Sequence, residues 1–154
     1  MASSTAAYSY EQGAVVQLPS ENLRRVVNAP RHSWNEDFIS RIADLIKLQR
    51  NWNGYGAEPV GFHAAQFAVS MVASACPPYV SEPQVVPGPN GDLQIEWHSL
   101  EYDIELHVVA PFEVTAVRYT GDNCEEIQLS NDFTIVSQWL DQMESAIAAR
   151  AAAA

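Results

Sequence analysis

The stretch "PQVVPGPNGDLQIEWHSLEYDIELHVV", residues 83–109, decides the fold. Apolar and polar residues alternate through 93–97 and again through 102–109, a period of two that belongs to half-buried strands. Proline and glycine break the alternation at 87–92, where Asn90-Gly91 is the pair that favours a type I′ hairpin. A short strand over 83–86 leads into that turn. Beyond Ala110-Pro111 the alternation resumes over 112–120, and after the turn at 121–123 a weaker fifth strand is expected over 124–129. Consecutive strands joined by short turns make an antiparallel meander. Such a sheet commonly buries one face and wets the other. Leu93, Ile95, Trp97, Tyr102, Ile104, Leu106, Val108, Phe112, Val114 and Ala116 are expected inside. Gln94, Glu96, Asp103, Glu105, His107, Glu113 and Thr115 are expected outside.

Upstream of the strands the period changes to 3.6. Phe38, Ile42, Leu45, Ile46 and Gln49 predict a helix over 35–50, and Ser33-Trp34-Asn35-Glu36 has the form of a capping box. Phe62, Ala65, Val69, Val72 and Cys76 predict a second helix over 61–76, stopped by Pro77-Pro78. A third helix is expected over 132–149, with Phe133, Val136, Leu140, Met143 and Ile147 on one stripe and a capping cluster at 130–132. Its alanine-rich end is expected to fray. The order α-α-β-β-β-β(-β)-α describes an α+β fold of two layers, a meander of four or five strands packed against helices. The 154 residues are expected to form one domain over 31–150, with an N-terminal arm over 1–30 that is loosely ordered or docked. Within the arm, 15–18 and 23–27 are short strand candidates.

Net charge is -11 and unevenly spread. Residues 1–50 hold six basic side chains against five acidic ones; residues 51–154 hold Arg118 and Arg150 against fourteen acids. Such a surface repels phosphates, which argues against direct nucleic-acid binding. It suits a basic protein partner. The plainer account is that acidity keeps a small protein soluble. No stretch has a secretory leader's pattern, and no run approaches the roughly 18 apolar residues of a membrane span, so a cytoplasmic protein without membrane contact is expected. Cys76 and Cys124 match no zinc spacing and read as two small, mostly buried thiols rather than a redox pair.

The expected outer face gathers Glu96, Asp103, Glu105 and Glu113, with Glu101 at its edge and no lysine or arginine among them. Like charges on facing strands destabilise a sheet, so the row reads either as a docking surface for a basic partner or as an ordinary wet face. Glu96, Asp103 and Glu105 also suggest a Mg²⁺ site of the metal-dependent nuclease kind. Such sites usually add a strand lysine; here the one lysine, Lys47, belongs to the first helix, leaving His107 as the substitute. No catalytic residue, metal ligand set or cofactor site follows from spacing. A homodimer built on exposed aromatics and the alanine-rich helix is the third possibility.

The segment "NWNGYGAEPV", 51–60, sits where the first helix reverses into the second. Its glycines permit the reversal, and Trp52 is expected to drop into the core as the corner's anchor, with Tyr55 beside it or at the surface. The alternative is a binding site built on Trp52 and Tyr55. Trp52, Asn53, Gly54, Tyr55, Gly56 and Ala57, followed by Gly91, Leu93, Ile95 and Trp97, resemble a set of small uncharacterised bacterial and prophage proteins. These carry W-[DN]-G-Y-G-A and then G-x-[LIV]-x-[LIV]-x-W. The likeness covers roughly 36–119, and Asn53 stands where an acid is commoner. It implies this fold and a mobile-element origin, a setting of small regulators such as antitoxins, immunity proteins and anti-CRISPR proteins. A non-enzymatic inhibitor that docks a basic, nucleic-acid-processing partner is therefore the leading expectation; a metal-dependent hydrolase and a homo-oligomeric structural protein are the alternatives.

Overall fold

The structure is a computed structural model, and it describes residues 32–154 together with the backbone of two short strands, β1 (Ala14–Gln17) and β2 (Arg24–Val27). β1 and β2 pair antiparallel as a separate two-stranded sheet. The rest of the expected arm lies outside the described residues. Then follow α1 (Asn35–Ile46), α2 (Phe62–Ala75), β3 (Gln84–Pro87), β4 (Leu93–Ser99), β5 (Tyr102–Ala110), β6 (Glu113–Thr120), β7 (Asn123–Leu129) and α3 (Thr134–Ala152). The five later strands form one antiparallel meander in chain order, so the α+β two-layer architecture stands, with the fifth strand fully formed.

Alternation places Leu93, Ile95, Ile104, Leu106, Val108, Val114 and Ala116 on the inner face, each at most 1 % exposed. The helices cover that face. Alanines 64, 65, 68, 73 and 75 bury α2 on nearly every side, because a side chain of one methyl lets the helix lie close to sheet and neighbours at once. Phe38 and Ile42 of α1 and Val136, Leu140 and Met143 of α3 complete the core.

The link from α2 to β3 has no regular structure, yet ring nitrogens hold it at three points. His32 Nε2 donates to the Pro77 carbonyl at 2.7 Å, Trp34 Nε1 to Val80 at 2.9 Å and Trp97 Nε1 to Ser81 at 3.0 Å. The Trp34 bond explains why the capping box does not form. Trp34 itself is the N-cap, with no side-chain cap bond, because its indole stacks on His32 with centroids 4.3 Å apart and reaches Val80.

Four further expectations are corrected. α1 ends at Ile46 rather than residue 50, since Asn51 turns left-handed at φ 66° and Val60 N–H bonds back to the Leu45 carbonyl. Asn90-Gly91 is no type I′ pair: only Gly91 has positive φ, 82°, and the Gly88 N–H closes a wider turn on the Asp92 carbonyl. Phe112 lies outside β6 at φ 66°, 59 % exposed, touching Phe67 with ring centroids 5.1 Å apart. The alanine-rich end stays helical to Ala152.

Trp34→Phe removes the N–H that satisfies a buried carbonyl, so stability falls by about 1–3 kcal/mol in urea unfolding. Trp52→Phe, whose bond lies in a half-buried loop, costs less. Gly88→Ala puts a methyl carbon 2.2 Å from the Asp92 carboxyl and is expected to cost about 1–3 kcal/mol by the same measurement.

Candidate functional site

Sheet register, rather than sequence distance, decides which acids meet. Gln84, Glu96, Glu105, Val117 and Glu126 stand side by side across β3 to β7 on the outer face. The next row toward one end holds His98, Asp103, Tyr119 and Cys124; the next toward the other holds Val86, Gln94, His107, Thr115 and Gln128. Glu96, Asp103 and Glu105 therefore come together. Glu113 does not join them: it lies four residues along β6 from the Val117 row, roughly 13 Å, past the register shift between Val108 and Ala110. Glu101 sits exposed in the β4–β5 turn. Glu126 belongs to the row and was missed, because assigning it needs the β6–β7 register as well as the alternation of β7.

Glu96 and Glu105 are directly opposed, a like-charge pair that weakens a sheet. Their partners draw them apart. Glu96 turns toward His98, which bonds it through Nε2 at 2.9 Å, while Glu105 accepts the Gln94 amide at 3.0 Å from the other side. His98 also bonds Asp103 through Nδ1 at 2.8 Å. As expected, no lysine or arginine joins the row, but an imidazole bridges two of its carboxylates. Hydrogen bonds donated by His98 to Glu96 and Asp103 raise its pKa above the ordinary 6.5. Arg118, the one cation on these five strands, faces the helices, paired with Glu125 and Gln142 with its guanidinium 5.0 Å from the Trp139 ring centroid.

His107 bonds Asp92 instead of joining the row. Asp92 is buried, which raises its pKa, but the bonds from His107 and the backbone N–H of Asn90 outweigh burial and hold the carboxyl below the usual range. Among the described residues no group of three or more His, Cys, Asp or Glu is arranged to hold a metal ion.

The corner at 51–60 is built by its asparagines. Asn51 Oδ1 accepts the Gly56 N–H at 2.6 Å; Asn53 Oδ1 accepts those of Tyr55 and Ala57 at 2.8 and 3.2 Å. Trp52 is half-buried and donates to the Glu58 carbonyl at 2.9 Å, so it ties the loop to itself rather than entering the core as expected. Tyr55 stands at the tip, 94 % exposed. The loop docks on the β3–β4 turn through Glu58 N–H to Pro89 and Gly61 N–H to Gly91, at 2.9 and 2.8 Å.

Cys76 is buried, which pushes its thiol pKa far up and leaves it unreactive; Cys124 is exposed on β7. Among the described residues no helix is long and apolar enough to cross a membrane. No family model, curated protein or solved structure matches the chain.

A histidine whose pKa rises on folding contributes stability that is complete below 6.5 and is lost as pH climbs through the raised folded value. The stability difference between the parent protein and His98→Gln is therefore expected to shrink as pH increases from 6 to 9 in urea titrations. A difference that stays constant or grows with pH would contradict the bridge.

Proposed function

We propose that the chain is a non-enzymatic protein-binding module whose outer sheet face docks a basic, nucleic-acid-binding partner and blocks it. One observation carries this reading: Glu96, Asp103, Glu105 and Glu126 share a face on which the described strands place no lysine or arginine. A one-sign face on a chain of net charge -11 steers a cationic partner and repels its nucleic-acid competitor. The face is also rigid, being the back of a sheet whose front is the core, so little entropy is lost when a partner orders its side chains against it. Work in the cytoplasm as an inhibitor of the anti-CRISPR, antitoxin or immunity kind, carried by a phage or other mobile element, is the setting we propose.

The test is affinity capture from host lysate at low and high salt, repeated with Glu96→Gln, Asp103→Asn, Glu105→Gln and Glu126→Gln combined. A basic nucleic-acid-processing protein is expected to bind at low salt and weaken at high salt. Affinity for the purified partner should fall at least tenfold in the combined variant, about 1.4 kcal/mol. Unchanged affinity in a folded variant removes the face from the mechanism.

A further inference from the structure

The two edges of the five-stranded sheet are unequal. β3 is four residues long, preceded by Pro83 and ended by Pro87, with Arg41 and Glu82 paired beside it. Those are the usual ways an edge is kept from pairing with another chain. β7 is neither short nor bounded by proline, although its Glu125 is paired with Arg118 on the face toward the helices. It runs seven residues in unbroken register with β6, contains no proline or lysine, and is exposed on both faces from 123 to 128.

Which backbone groups of β7 are free follows from its hairpin. Thr120 and Asn123 close a two-residue turn in which Gly121 has φ 58°, the type II′ geometry with glycine first. The closing residues of such a turn exchange hydrogen bonds, so alternate residues Asn123, Glu125 and Ile127 bond inward to β6. Cys124, Glu126 and Gln128 then direct their N–H and C=O groups away from the sheet. Their side chains belong to the outer face, where Glu126 ends the row of Glu96, Glu105 and Val117. On the other face Ile127 is 40 % exposed beside half-buried Leu129.

We propose that a basic, extended segment of the partner adds to β7 as a sixth strand, a mode that rests on the docking function above. Backbone bonds to Cys124, Glu126 and Gln128 supply affinity, and side chains supply selection. Every second residue of the segment, lying on the outer face, is Lys or Arg, next to Glu126. The intervening residues are apolar and cover Ile127. A second copy of this chain is a poor occupant: full antiparallel pairing of β7 with itself sets Glu126 against Glu126 at the centre of the ladder.

The probe is a capped seven-residue peptide alternating lysine and valine, compared at low salt with the same peptide N-methylated at its lysines. Charge is identical in the two, and the second cannot donate along the edge that carries its lysines. Hydrogen exchange of the protein's amides is read by NMR. With the first peptide the amides of Cys124, Glu126 and Gln128 are expected to slow at least tenfold, and the N-methylated peptide should bind at least tenfold more weakly. Equal binding of both without slowing overturns strand addition while leaving a charged docking face intact. Binding of neither also overturns strand addition, and the capture experiment above then decides the docking face separately. Slow exchange of these amides without peptide, in a protein that sediments as a dimer, overturns the choice of occupant.

Discussion

Burial of the inner face of β4, β5 and β6 is the constraint on which the rest of the structure depends. Its aliphatic side chains must leave water together, and the period of two then fixes the direction of every other residue on these strands. A slip of β5 by one position against β4 would turn Asp103 and Glu105 toward the core and Ile104 and Leu106 toward water. The cost of burying two carboxylates excludes that slip, so the same force that builds the core also concentrates acid on the outer face. The face and the core are one decision.

The sheet needs a close cover, and α2 provides it with alanines set among Val69, Met71 and Val72. The connections around α2 are secured by polar bonds. Three ring N–H groups pin the carbonyls of Pro77, Val80 and Ser81. At the other end of α2, the asparagine-built corner closes on the β3–β4 turn, where Asp92 gathers Asn90 and His107. Gly88 belongs to that turn because any side chain there would occupy the volume of the Asp92 carboxyl.

Charge crowding on the outer face is moderated locally, not removed. His98 and Gln94 pull Glu96 and Glu105 toward opposite ends of the sheet, and His98 adds Asp103 to the same bridge. The face keeps its negative sign while its worst contact is relaxed. β7 carries that sign to an edge where, among the described residues, no further strand pairs, which brings a charged surface and a hydrogen-bonding edge into contiguity.

The sequence by itself determined the helices, the five strands, their antiparallel order and which residues face the core, because period and turn residues are local signals. It also showed that Glu96, Asp103 and Glu105 share a face. What it mistook were places where a distant group outbids a local rule. Trp34 displaced the capping box because Val80, 46 residues on, claimed its indole. Asn90-Gly91 lost its hairpin geometry to a turn docked on Glu58 and Gly61. Trp52, expected in the core, found a nearer carbonyl at Glu58. Glu113 was grouped with the other acids by alternation alone, which gives the side of a sheet but not the position along it. Only tertiary structure decided that position, since register across β5, β6 and β7 is set by long-range pairing. For the same reason it alone placed His98 between two carboxylates, brought Glu126 into the row and left β7 as the open edge.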